Sequence, residues 1–386
     1  MQNLKVLIFS STFGAGHVRA AEAVIEALEQ KVPGVQIAHL DCGAIISRFF
    51  NSVIKSTYIG MLKYTPKLWG KFYYNTSKMQ PDSAVQRFLN QLGQKEFDNY
   101  IQSFQPDLII CTYPTVAGVL AQLRLKGVLN IPLATVITDY SVHSQWIHRG
   151  VDLYLVGCPD VYQGLVARGI NPGRICITGI PVSPRFENPM NRQAIAAKLG
   201  LQPDRPTVLI MGGAYGVLPN IKQICRTFAG SALPVQLIVV CGRNRKLYKS
   251  LEDVQQTFPG RVICLGYVNN VEEFMAVSDV MISKAGGLTV SEALTMRLPQ
   301  LIFKPIPGQE EDNAIYINKT GAGRIVHTLE GLKENLQYLL ENPEVREEMR
   351  RAAALAVPGH ASEKAVEHLL ELADKHQNKT TARMIV

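Results

Sequence analysis

The sequence predicts an α/β protein built from two doubly wound, parallel-sheet domains with a cleft between them. Three observations predict it. The strand-like runs are short and apolar, as in Lys5-Val6-Leu7-Ile8-Phe9 and Leu108–Cys111, which suits parallel strands covered on both faces. Three times such a strand leads through a glycine-bearing turn into a helix, at Gly14-Ala15-Gly16, at Gly212-Gly213 and at Gly286-Gly287. A turn-rich stretch, Gly179-Ile180-Pro181-Val182-Ser183-Pro184, separates the two patterns near mid-chain. A chain of 386 residues is a natural length for two domains, placed at 1–182 and 183–360 with residues 361–386 beyond them. Both have the Rossmann-like alternation of strand and helix.

Composition narrows the class. A hydrophobic content of 47% describes a packed globular chain and excludes a disordered one. A formal charge of +8 points to an anionic partner: nucleic acid, an anionic membrane surface or a phosphorylated ligand. The seven cysteines are scattered and include no C-x-x-C pair, so they read as reduced core residues, not disulfides or a zinc site. The chain runs from Met1 straight into a strand, without the pattern of a signal peptide. No apolar run approaches the roughly 18 residues needed to span a bilayer, so membrane contact is expected to be peripheral.

In the first half, Lys5–Phe9 leads through Ser10 to His17 into a helix over Val18–Gln30, and Gln36–Asp41 supplies the next strand. The Gly14-x-Gly16 pair invites a dinucleotide reading with Asp41 as ribose acid. That fingerprint wants Gly or Ala three residues after the second glycine, and Arg19 stands there. His17 sits at the helix start, above the strand ends where such folds bind ligands. An imidazole there can serve as a general base, or it can simply cap the helix or sit on the surface.

Residues 42–81 hold no Asp or Glu, yet include Arg48, Lys55, Lys63, Lys67, Lys71 and Lys78 with eight aromatics, among them Phe49, Phe50, Trp69 and Phe72. Basic side chains attract anionic head groups by about 1 kcal/mol each, and Trp, Tyr and Phe suit the interfacial zone. Ile45, Ile46, Phe49, Phe50, Val53 and Ile54 fall on one helical face. The segment reads as membrane-facing; the alternative is a core helix with a basic outer face. Strands resume at Leu108–Cys111 and Leu133–Ile137, and the second empties into Thr138-Asp139-Tyr140-Ser141-Val142-His143. Asp139 can orient His17, bind an acceptor or cap the next helix. His143 lies in the same turn.

In the second half, Thr207–Ile210 leads into Met211-Gly212-Gly213-Ala214, whose backbone donors can hold a phosphate or sugar. Arg243 follows another strand and can touch phosphate or base. Val280-Met281-Ile282 then empties through Lys284-Ala285-Gly286-Gly287 into a helix beginning at Leu288, with Thr289 in its first turn and Glu292 one turn in. Free N–H groups and the positive end of a helix dipole favour phosphate there, and a carboxylate at Glu292 can accept from both hydroxyls of a ribose. The plainer reading is a tight turn that glycine permits. In Pro305-Ile306-Pro307-Gly308-Gln309-Glu310, prolines and glycine hold a loop extended, so Gln309 and Glu310 can bond sugar hydroxyls while Asn313 supports the loop.

Lys284-Ala-Gly-Gly-Leu-Thr-Val-Ser-Glu292-Ala resembles the donor-site motif of GT-B glycosyltransferases, in particular the plastid monogalactosyldiacylglycerol synthases and bacterial processive diacylglycerol glucosyltransferases. The enzyme that adds N-acetylglucosamine to the peptidoglycan lipid precursor is a more distant relative. Gly14-Ala-Gly-His17 resembles the Gly-Gly-Gly-His loop of the galactolipid synthases, with Ala15 replacing the middle glycine. Thr138-Asp-Tyr-x-x-His-x-x-Trp-x-His resembles a motif of the bacterial enzymes, and Pro307-Gly-Gln-Glu-x-x-Asn313 is specific to the lipid-transferring group. The likeness runs from about Lys5 to about residue 370.

The resemblance implies a GT-B fold whose last helix crosses back to the first domain, followed by a loose tail. It implies that His17 is the base on an acceptor hydroxyl and that the backbone at Gly266, Tyr267 and Val268 reads a uracil ring. Where the family has a serine, this chain has Ala214, which puts a side-chain contact there in doubt. The implied reaction is inverting transfer of a hexose, glucose favoured and galactose possible, from UDP-glucose or UDP-galactose to diacylglycerol. No Asp-x-Asp occurs in the sequence, so neither metal nor cofactor is expected. Charge on the leaving group then falls to Gly287, Leu288, Thr289 and Lys284. An anionic membrane surface and no nucleic acid are the expected partners, with attachment to the inner face of the cell membrane from the cytoplasm. A UDP-N-acetylglucosamine-dependent transferase acting on another membrane lipid, a UDP-sugar epimerase and a non-catalytic sugar-nucleotide sensor stay open as alternatives.

Overall fold

The computed structural model describes residues 3–12, 14–43, 60–61, 65–79 and 94–384, with positions beyond 378 described by their backbone alone. Its contacts divide the chain into two compact units. The first comprises Met1–Pro184, Pro307–Gln309 and His360–Val386, and the second Arg185–Ile306 and Glu310–Gly359.

The first unit runs β1 (Lys5–Ser10), α1 (Ala15–Lys31), β2 (Gln36–Asp41), α2 (Pro66–Ser77), α3 (Gln94–Phe104), β3 (Leu108–Cys111), α4 (Pro114–Leu125), β4 (Leu133–Val136), β5 (Leu153–Val156), α5 (Pro159–Val166) and β6 (Ile175–Ile177). Its sheet is parallel throughout, in the order β2-β1-β3-β4-β5-β6. Strands β3, β4 and β5 are buried at every position, which explains why their sequences are unbroken apolar runs.

The second unit runs α6 (Arg192–Lys198), β7 (Thr207–Met211), α7 (Ile221–Ala229), β8 (Gln236–Val240), α8 (Arg245–Ser250), α9 (Glu252–Thr257), β9 (Val262–Leu265), α10 (Val271–Val277), β10 (Val280–Ser283), α11 (Gly287–Thr295), β11 (Gln300–Phe303), α12 (Gln309–Thr320), β12 (Gly323–Val326), α13 (Leu329–Glu341) and α14 (Pro343–Ala356). Its parallel sheet has the order β12-β11-β10-β7-β8-β9. The doubly wound α/β reading is met in both units. Val208, Ile210, Leu237, Val239, Val280 and Ile282 form the centre of the second core.

The last helix, α15 (Ala361–Met384), belongs to the first unit. Ala365, Val366, Leu369 and Ala373 are buried with Val24 and Leu28 of α1, and Ser362 Oγ donates to the Val182 carbonyl. The helix runs on to Met384, through the start of the loose tail that the sequence reading places at Gln377–Val386, because no glycine or proline interrupts residues 376–384. All seven cysteines are free thiols. Among the described residues no helix is long and apolar enough to cross a membrane. Phe49, Phe50 and Lys63, read as membrane-facing, lie outside the described residues, as does the amphipathic stretch Ile45–Ile54.

Candidate active site

Strand order decides where each unit can hold a ligand. In the first sheet the winding reverses between β1 and β3, and in the second between β7 and β10. Such reversals open a crevice beyond the C-terminal ends of the two strands. The glycine-bearing turns after β1, β7 and β10 all lie at these points.

In the second unit, α11 begins at Gly287 with Gly286 as its N-cap, and no side chain caps its first N–H groups. Those donors and the helix dipole face the ligand end of the sheet. Leu288 is buried, while Gly286, Thr289 and Glu292 are partly exposed. Opposite, the turn after β7 is pinned by its glycines. A Cβ on Gly212 would come within 2.7 Å of the Val217 nitrogen. Gly213 has φ +70°, and a Cβ there would lie 3.5 Å from Lys284 Cε. The Ala214 carbonyl accepts from Arg243 N–H at 2.9 Å. Gly242, with φ +56°, allows that approach, since a Cβ would sit 2.5 Å from the Ala214 oxygen.

The remaining donor-side residues fall around this junction. Arg243 Cζ lies 4.9 Å from the centre of the Tyr267 ring, a cation–π stack beside Gly266 and Val268 in the turn after β9. Lys284 Nζ donates to Glu310 Oε1 in a partly buried ion pair. Asn313, fully buried, donates to the Ala285 carbonyl at 3.1 Å and ties α12 to the turn after β10.

In the first unit, His17 lies in the first turn of α1, which has no side-chain cap. Thr112 Oγ1 donates to the His17 carbonyl at 2.8 Å and joins that turn to the end of β3. The His17 ring meets Tyr113 edge-on at 5.2 Å and Trp146 at 6.2 Å, and its Nδ1 is 3.0 Å from Thr138 Oγ1. Desolvation among these groups lowers the His17 pKa to about 4, against a hydrogen bond with the Thr112 backbone that raises it. The imidazole is therefore neutral at ordinary pH, the form a general base needs.

Asp139 is buried and accepts from Trp146 Nε1 at 3.4 Å and from Gln309 Nε2. Gln309 belongs with the first unit, where a Cβ on Gly308 would stand 3.1 Å from the Tyr73 ring. His143 is buried behind α2, with Nε2 3.1 Å from Thr76 Oγ1 and its ring 4.7 Å from Tyr73. Burial lowers its pKa, the Tyr73 backbone raises it and Arg168 lowers it. Its Nδ1 accepts from Gln145 N–H at 3.2 Å and so caps the short turn that ends at Trp146.

On α2, Gly70 and Tyr73 face inward, while Leu68 and Phe72 are 57% and 52% exposed beside the exposed Lys67 and Lys71, with Trp69 half-buried. Residues that sequence reasoning did not single out are Thr138, Tyr113 and Gly242. Thr138 adjoins Asp139 in one turn, and that adjacency was the only local signal for it.

An uncapped helix start at the switch point of one sheet and a desolvated histidine at the switch point of the other belong to a glycosyltransferase of the GT-B class. Solved structures share the fold: MurG of Acinetobacter baumannii (TM-score 0.63, 17% identity, 96% of this chain and 99% of that one). MnaA of Staphylococcus aureus with UDP is a second (TM-score 0.62, 14% identity, 96% and 97%). Residues 17–182 match the monogalactosyldiacylglycerol (MGDG) synthase family model, and residues 207–369 match the glycosyltransferase family 28 C-terminal domain. A processive diacylglycerol β-glucosyltransferase of Bacillus pumilus is 34% identical over 99% of both chains. Its namesake in Bacillus licheniformis is 31% identical over 98% of this chain and 97% of that one. The chain belongs to the processive diacylglycerol β-glucosyltransferase family.

Proposed function

We propose that this glycosyltransferase moves glucose from UDP-glucose to the free hydroxyl of diacylglycerol, with inversion at the anomeric carbon, and releases UDP. The observation that carries the reading is the near-complete alignment of both halves with relatives that bear this one name. In the proposed step, His17 Nε2 takes the hydroxyl proton as the acceptor oxygen attacks C1 from the face opposite UDP. The C1–O bond to the β-phosphate breaks and a β-glucoside forms.

The second unit supplies the donor side of the proposal. The uncapped first turn of α11, through Gly287, Leu288 and Thr289, is suited to the diphosphate and its developing charge. Glu292 suits the ribose hydroxyls, and the Arg243–Tyr267 stack with Gly266 and Val268 suits the uracil. Gly212, Gly213 and Ala214 suit the distal phosphate or the sugar, with Glu310 for a sugar hydroxyl. The acceptor comes from a membrane. The exposed Leu68 and Phe72 beside Lys67 and Lys71 offer apolar side chains and positive charge together, which suits an anionic interface and peripheral attachment at the inner face of the cell membrane.

The test is chromatography of lipid products after mixing the protein with anionic liposomes that contain diacylglycerol and either UDP-glucose or UDP-galactose. A glucolipid from UDP-glucose is expected, with slower-migrating products if more than one sugar is added. UDP binding without any glycolipid from either donor overturns the reading.

A further inference from the structure

We infer that Thr138 is a positioning residue for His17: its hydroxyl oxygen accepts a hydrogen bond from Nδ1–H and leaves Nε2 with the free lone pair. The inference deepens the proposed reading, in which Nε2 receives the acceptor proton. Thr138 Oγ1 and Nδ1 are 3.0 Å apart, and Thr138 is 4% exposed. The ring also has a hydrogen bond with the Thr112 backbone, and the side chain placed on its Nδ1 is that of Thr138.

The ring is held as well as bonded. Tyr113 and Trp146 lie against it at 5.2 and 6.2 Å. A Cβ on Gly14 would stand 4.0 Å from Nε2, so the glycine keeps that side of the nitrogen uncrowded. Which nitrogen of a neutral imidazole carries the proton is decided by the bond the other makes. A buried hydroxyl oxygen has two lone pairs and can accept from Nδ1–H.

Catalytic histidines are commonly oriented by a carboxylate, which sets the tautomer and also stabilises the imidazolium that forms. A threonine does the first without the second. His17 is thereby aimed but kept a weak base, and the neighbouring Asp139 carboxylate is left to bond Trp146 and Gln309.

The test is the 15N spectrum of the full chain labelled in its histidine rings, with His17 assigned by the signal lost in His17→Gln. The Nδ1–H tautomer is expected at neutral pH, retained in Thr138→Ser and lost to a mixture in Thr138→Val. Turnover of Thr138→Val should fall on the order of a hundredfold, as for a misplaced reacting group, with the donor KM little changed and Thr138→Ser near normal. In Thr138→Asp the acid limb of the pH–rate profile should move to higher pH. An Nε2–H tautomer in the wild-type protein overturns the inference, and so does a Thr138→Val protein with unchanged tautomer and turnover. The wild-type spectrum alone decides if the valine variant does not fold. Because it needs no substrate, a chain that transfers no glucose would fail the functional reading without touching this one.

Discussion

Lys284 and Glu310, one from each of the two strongest donor-side motifs, form an ion pair with each other in the second unit. Their side chains are 23% and 15% exposed, and Glu310 Oε2 is buried without a hydrogen-bond partner. Removing the cation leaves that carboxylate uncompensated. Lys284→Met is expected to cost about 2 kcal/mol, less than the loss of a fully buried partner. The double variant Lys284→Met/Glu310→Gln should cost less than the sum of the two single changes. Urea unfolding of the four proteins measures the coupling, and strict additivity would mean that the pair contributes nothing.

His17 makes the fold sensitive to acid. Its folded pKa of about 4 lies below the ordinary 6.5, so the unfolded chain binds a proton first. The fold therefore keeps its full stability above about pH 6.5, and loses it as pH falls towards 4, by at most about 3 kcal/mol for this group. His17→Gln should lose less stability than the wild-type protein between pH 7 and pH 4.5 in denaturant titrations. In the wild-type pH–rate profile, the limb owed to His17 should lie well below pH 6.5.

Gly242 is needed for its backbone. With φ +56° and the Ala214 oxygen 2.5 Å from where a Cβ would stand, Gly242→Ala must part the turns after β7 and β8. A cost of about 1–3 kcal/mol is expected, together with weaker UDP binding by calorimetry. Gly34 also has positive φ, +82°, but no atom lies within 4 Å of its added Cβ. Gly34→Ala should destabilise less and leave UDP affinity unchanged.

The outer face of α2 should matter for membranes and little for folding. Leu68→Glu with Phe72→Glu changes two exposed side chains, so stability should move by no more than about 0.5 kcal/mol per site. Flotation with anionic liposomes should drop sharply, while UDP binding stays as it was. Equal flotation of the variant and wild-type proteins would remove this helix from the membrane reading.

The sequence by itself determined the fold class and the places where glycine turns meet helices. Strand runs, helix periods and turn residues are local signals, and β1, β7 and β10 with the turns that follow them are legible one stretch at a time. Pairings across the chain are a different matter. That Thr138 meets His17, 121 positions away, depends on β4 entering the sheet beside β3. That Lys284 spends its charge on Glu310 depends on β11 running parallel beside β10, which brings the loops after the two strands to the same end of the sheet. His143 shows the same limit from the other side. Its place in the turn with Asp139 says nothing of α2, whose packing brings the Tyr73 ring to 4.7 Å from its own. Periodicity and turn chemistry act over a few residues and can be read in order. Which side chains share a crevice is set by strand order and the close packing of distant segments, and only the tertiary structure decides that.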